Sequence, residues 1–108
     1  MKLDQQKSYD LLDQGHVAES MLELPLQIAQ VLREAKNIKV PKSYKNITQV
    51  VVNGMGGSNL GTYLLRSAFA DRLKVPVSIE PGYTVPASVN NKTLYILSSY
   101  SGTTEEVL

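Results

Sequence analysis

Apolar residues recur along this chain with two different periods, and the change from one to the other divides it. Up to Pro41 the spacing is helical. Before Pro25 it predicts one or two short helices, with Leu11, Leu12, Val17, Met21 and Leu22 as the buried positions. Pro25 suits the first position of a new helix, where its missing N–H is no loss. From there Leu24, Ile28, Val31, Leu32 and Ala35 keep helical register to about Lys36, and Pro41 with the polar stretch 42–46 closes the segment. Beyond it the period shortens. The β-branched run from Ile47 to Val52 is bounded by turn residues and predicts a buried strand. A glycine-rich turn follows. Leu60, Leu64 and Ala68 then lie on one helical ridge and Leu65, Phe69 and Leu73 on the next, predicting an amphipathic helix that ends near Leu73. Tyr63 shares that spacing and is expected in the core. A second strand is predicted from Val75 to Glu80, a turn at Pro81-Gly82-Tyr83 and a third strand from Thr93 to Ser98. A Ser/Gly/Thr turn, in which Tyr100 is expected to pack, leads into a further helix.

This order is the opening of an α/β fold: an open parallel sheet with flanking helices, preceded by N-terminal helices over residues 1–45. Crossovers of the usual right hand place both polar turns at the carboxyl ends of their strands. Ligands of such sheets bind there. Strands 47–52 and 93–98 are expected side by side, with both turns opening on one side. Thr103-Thr104-Glu105-Glu106-Val107-Leu108 looks like a first helical turn with no stop signal, so the 46–108 part is expected to be a domain truncated after its third strand.

Composition narrows the function classes. Eleven basic and ten acidic residues leave a formal charge of +1, which points to neither nucleic acid nor an anionic membrane surface. Lys36, Lys39, Lys42 and Lys45 read as a solvated edge. The absence of cysteine excludes disulfides and thiolate metal sites, and one histidine, His16, cannot make a histidine-rich metal site. The apolar runs are too short to cross a bilayer, and the first residues lack an apolar signal core. A cytoplasmic protein with no metal or cofactor is expected.

The chemistry concentrates in two loops. Gly54-Met55-Gly56-Gly57-Ser58-Asn59-Leu60-Gly61 lets the backbone approach a ligand and turns the N–H groups of the next helix toward an anion. It is equally readable as a tight strand-to-helix turn with Ser58 as N-cap. The dinucleotide fingerprint G-x-G-x-x-G fails, because Asn59 stands where the third glycine belongs, and there is no P-loop lysine. In the second loop Ser99, Ser101 and Thr104 can each offer a hydroxyl to one phosphate. Neither loop contains lysine or arginine, so a phosphate would be held by neutral donors and a helix dipole. The plain alternative is a Ser-rich turn with a capping box from Thr103 to Glu106.

Together the loops are more specific than either alone. Gly54-Met55-Gly56-Gly57-Ser58 and Ser99-Tyr100-Ser101-Gly102-Thr103-Thr104-Glu105 resemble the two signature loops of sugar isomerase (SIS) domains, and most closely those of the bifunctional phosphoglucose/phosphomannose isomerase branch. Met21-Leu22-Glu23-Leu24-Pro25 is similar to that branch's N-terminal helices. The resemblance spans the whole chain but only about the first third of a full family member, and implies a flavodoxin-like strand order. It implies that Ser99, Ser101 and Thr104 bind the substrate's phosphate, and that Gly56, Gly57 and Ser58 border sugar and phosphate. Thr103 stands where relatives often have Asn, and Asn59 where a small residue is common; neither removes a matched hydroxyl.

The implied reaction interconverts glucose 6-phosphate or mannose 6-phosphate with fructose 6-phosphate, in a homodimer when full length. It needs a carboxylate base and a ring-opening group. In relatives these lie in a second SIS domain or in a partner subunit, so no catalytic residue is expected here. His16 reads as a surface or packing residue, and Glu105 and Glu106 as first-turn acids facing a helix dipole. A phosphosugar-sensing SIS domain without a catalytic base is the rival reading, and a nucleotide-binding α/β domain a weaker one.

Overall fold

The computed structural model describes residues 5–108, apart from the side chain of Asp10. Residues 1–4, part of the segment read for a signal core, lie outside that range. The chain forms two compact units, Met1–Val40 and Pro41–Leu108.

The first unit holds α1 (Gln6–Leu12) and α2 (Val17–Ala35). Between them, Asp13 accepts the Val17 N–H at Oδ1 and the Ala18 N–H at Oδ2, both at 2.8 Å. The carboxylate thereby satisfies two N–H groups that open α2 and have no partner within the helix. These two backbone hydrogen bonds, from Ala18 first and Val17 second, hold the Asp13 carboxyl below its ordinary value. His16 sits at φ 53°, in the left-handed region, and its Nδ1 lies 3.3 Å from Glu19.

Pro25 does not begin a helix; it lies inside α2. A proline there removes one intrahelical hydrogen bond. Residues of high helix propensity on both sides, among them Met21, Leu22, Leu26 and Ala29, carry the helix across it. The expected burial is also corrected. Leu11, Leu12, Val17, Met21, Leu22, Leu24, Ile28, Val31 and Leu32 are all exposed. A helical stripe is buried only by a second layer. The seven-residue α1 meets just the opening turns of α2, where Tyr9, Leu12, Val17 and Met21 border a small apolar cleft.

The second unit is built on β1 (Gln49–Gly54), β2 (Val77–Glu80) and β3 (Thr93–Ser98). They form a parallel sheet in the order β2-β1-β3, the start of a flavodoxin-type arrangement. β1 is central, paired on both sides, and is the most buried of the three; Val51 is 1% exposed, and Val52 and Asn53 are buried with it. Val50 pairs with Leu94, Val51 with Tyr95 and Gly54 with Ser98, so the two polar loops leave neighbouring strands at the same end. Gly54 is tied to this register. A Cβ there would meet the Ser98 carbonyl oxygen at 2.8 Å and the Asn59 Oδ1 at 2.9 Å, closer than real Cβ contacts come.

Several boundaries differ from the sequence pattern. After a 3-10 turn at Gly56–Asn59, α3 runs from Leu60 only to Ala68. Phe69 leaves helical geometry at φ −123° and ψ 22° and ends the helix there, and a separate turn follows in which the N–H groups of Arg72 and Leu73 both return to the Phe69 carbonyl. β2 starts at Val77 because Pro76 enters the ladder only through its carbonyl, which accepts the Val50 N–H at 2.8 Å. The chief neighbour of α3 among the described residues is the 3-10 turn that leads into it. Leu60, Tyr63, Leu64, Leu65 and Phe69 are accordingly exposed, so Tyr63 is not a core residue.

No helix follows Thr103 among the described residues. The N–H groups of Val107 and Leu108 both reach the Thr104 carbonyl, which makes a single turn, and one turn is short of what helix nucleation requires. Glu105 and Glu106 therefore face no helix dipole, and the capping box between Thr103 and Glu106 does not form. The buried apolar residues are few: Val51, Val52 and Val107.

Two outcomes are expected. Gly54→Ala should lower stability by roughly 1–3 kcal/mol, the usual cost of forcing atoms into a filled space; a urea unfolding midpoint equal to that of the parent would refute the close-approach argument. The depressed Asp13 carboxyl contributes stability above the ordinary carboxylate range, and that contribution fades as pH falls through the lowered folded value. The protection of the Val17 and Ala18 amides against exchange, relative to the intrinsic rate, should fall on that acid side. In Asp13→Asn the protection should already be low at neutral pH and show no acid-side fall.

Candidate functional site

The glycine loop that leaves β1 and the serine loop that leaves β3 face each other across a cleft of ≈ 800 Å³. Gly57, Ser58, Ser99, Ser101 and Thr104 all line it. Gly56 does not; at φ 52° it turns the chain out of β1. The remaining lining comes from Met55, Leu97, Ser98 and Tyr100.

Two hydrogen bonds join the loops directly. The Ser98 hydroxyl donates to the Ser58 carbonyl at 3.0 Å, and the Tyr100 N–H donates to the Ser58 hydroxyl at 3.3 Å. Ser58 is thus occupied with the opposite loop and is not the N-cap of α3. That position belongs to Asn59, which makes no side-chain cap and instead turns its Nδ2 back to the Gly54 carbonyl. Tyr100 does not pack in the turn either. Its side chain is fully exposed, because its backbone N–H is the part drawn toward Ser58.

The three expected phosphate-binding hydroxyls form a triangle. Ser99 Oγ and Thr104 Oγ1 lie 2.8 Å apart, Ser101 Oγ and Thr104 Oγ1 3.4 Å, and Ser99 Oγ and Ser101 Oγ 3.5 Å. Backbone groups fold onto it from below the turn. Gly102 N–H donates to Ser99 Oγ at 3.0 Å, and Thr103 N–H to Ser101 Oγ at 3.2 Å. Gly102 makes this possible at φ 69°, a conformation that costs glycine nothing. With no helix behind the serine loop, an anion here would meet hydroxyls oriented by the turn N–H groups rather than the helix dipole expected from the sequence.

Two buried amides were not singled out for the site by the sequence pattern. Asn53 is 3% exposed and its Nδ2 donates to the carbonyls of Glu80 and Gly82, at 3.0 and 2.9 Å. It ties the end of β2 to the end of β1. Asn59 is 4% exposed and fixes the turn between Gly54 and α3. In the sequence the only sign of either was a polar side chain at the edge of an apolar run. Tyr83 donates from its hydroxyl to Glu105 at 3.4 Å, so Glu105 is held beside the β2 loop and outside the hydroxyl triangle. His16 is exposed in the first unit, paired with Glu19. Among the described residues no cluster of three or more His, Asp or Glu could hold a metal ion, and no helix is long and apolar enough to cross a membrane.

No model of a protein family matches the chain, and no solved structure matches it. Two curated proteins do. The bifunctional phosphoglucose/phosphomannose isomerase of Caldicellulosiruptor bescii is 47% identical over 90 residues, which cover 83% of this chain and 26% of that protein. The protein of the same name from Thermoplasma volcanium is 31% identical over 86 residues, covering 77% of this chain and 27% of its own length. The chain is thus a homologue of proteins named bifunctional phosphoglucose/phosphomannose isomerase, and it spans about a quarter of their length.

Proposed function

We propose that this chain is the phosphosugar-binding part of a SIS-type aldose–ketose isomerase acting between glucose 6-phosphate or mannose 6-phosphate and fructose 6-phosphate. The observation that carries the reading is the triangle of Ser99, Ser101 and Thr104 hydroxyls in a cleft shared with the Gly57-Ser58 backbone. A phosphate's oxygens are acceptors and need converging donors; the triangle brings three hydroxyls together within one turn. The names of the two homologous isomerases favour a sugar phosphate over other phosphorylated ligands.

In this reading the two loops divide the work. The serine loop holds the phosphate end. The glycine loop, at the end of the neighbouring strand, borders the sugar. Moving a proton between C1 and C2 of the open-chain sugar then needs a base beside those carbons. We assign that base, and the ring-opening group, to residues outside these 108. The residues named here position the substrate.

Ser101→Ala and Thr104→Ala should each weaken fructose 6-phosphate binding. A hydrogen bond to a charged group is worth roughly 1.5–3 kcal/mol, or about tenfold to over a hundredfold in affinity. Calorimetric affinities unchanged in both variants would reject the assignment. The 108-residue chain should show no conversion of glucose 6-phosphate to fructose 6-phosphate in a coupled assay. Turnover there would place a base within these residues and bring Glu105 and Glu106 back into question.

A further inference from the structure

A hydroxyl offers one proton and two lone pairs, and the serine loop fills lone pairs selectively. Ser58 Oγ accepts the Tyr100 N–H, and Ser99 Oγ accepts the Gly102 N–H. Ser101 Oγ accepts twice: from the Thr103 N–H at 3.2 Å and from the Thr103 hydroxyl at 3.1 Å. Both acceptor positions of Ser101 are then taken, and its proton remains, with Thr104 Oγ1 at 3.4 Å and Ser99 Oγ at 3.5 Å as its long contacts within the triangle. Thr103 is itself exposed and is not among the residues lining the cleft. Its hydroxyl acts on Ser101 alone among the described contacts.

We propose that Thr103 is a positioning residue that makes Ser101 a donor only, and so tunes the cleft to fully deprotonated oxyanions over those that carry a proton. The inference rests on the reading of the triangle as an anion site. The chemical reason is an asymmetry of partners. An oxyanion with no proton brings only acceptors, and the Ser101 proton can meet one. A protonated oxyanion brings an O–H as well, and that proton needs a lone pair. With the Ser101 lone pairs occupied by Thr103, an O–H placed against Ser101 finds no acceptor there and must turn away from it, which forfeits that contact for the protonated ligand. Removing the Thr103 hydroxyl frees one lone pair. Ser101 can then accept, and the penalty on the protonated ligand falls.

The test compares two tetrahedral anions on the 108-residue chain and its variants. At about pH 5 inorganic phosphate is the dihydrogen monoanion, with two P–OH protons, and sulfate is a dianion that carries none; the difference in charge is the same for parent and variant, so the change in the ratio is what reports on Thr103. The parent chain should bind sulfate more tightly than phosphate. Thr103→Val, which keeps the shape and the backbone N–H, should weaken sulfate by about threefold to tenfold, the range of one neutral hydrogen bond. It should weaken phosphate less, so that the ratio of the two affinities narrows. Thr103→Ser should restore both the affinity and the ratio. A purely structural role for Thr103 would weaken both anions equally, and that result overturns the proposal, as does a ratio unchanged in Thr103→Val. Circular dichroism identical to the parent's shows that the variant is folded. Failure of the parent to bind sulfate, phosphate or fructose 6-phosphate at all would instead overturn the anion site, and this proposal with it.

Discussion

The parallel pairing of β1 with β3 is the constraint on which the cleft depends. It sets Gly54 opposite Ser98, and therefore fixes which residues of the two following loops can meet. Ser58 and Tyr100 are distant in sequence, yet each begins a few residues beyond a paired strand end, and the hydrogen bond between them follows from that register. The absence of a side chain at Gly54 is part of the same constraint. The space that a Cβ would need is filled by the Ser98 carbonyl and the Asn59 amide. A one-residue slip would flip every side chain of β3 to the opposite face and separate the loops as well.

On that frame the two buried asparagines act as ties between strand ends. Asn53 holds the β2 loop to β1 through two carbonyls, and Asn59 closes the glycine turn onto Gly54. Each leaves its Oδ1 buried without a protein partner. Amides in such places cost free energy unless hydrogen-bonded, so what they secure is geometry, the order in which the loops leave the sheet. The hydroxyl triangle stands on this base. Its donors are neutral, and an anion bound there would face oriented O–H dipoles, themselves held in place by the turn N–H groups.

The exposed apolar surface bears on how the function is divided. α2 and α3 both carry amphipathic stripes, and both stripes are exposed among the described residues. A core of Val51, Val52 and Val107 is small for a sheet of this kind. The homologous isomerases are about four times as long as the stretch matched here.

Much of the architecture was legible in the sequence because it follows from local periodicity. The β-branched run before Gly54, the alternation of strand and helix, and the turn residues between them determined a parallel α/β sheet with two polar loops at one end. The hydroxyl positions were legible for the same reason: Ser99, Ser101 and Thr104 fall within one short turn, and a turn brings near neighbours together. What depended on distant partners was not legible. Pro25 was placed at a helix start because local preference favours it there, while helical sequence on both sides carried the chain through. Ser58 was expected to cap α3, and only the register of β1 against β3 sends the Tyr100 N–H to its hydroxyl. The burial of α2 and α3 was overestimated because a periodic stripe shows that a face is apolar, not that a second layer lies against it. Which lone pairs of Ser99 and Ser101 are filled is likewise a matter of backbone folding at Gly102 and Thr103. Spacing determines which hydroxyls are neighbours; only the folded turn decides which way their protons point.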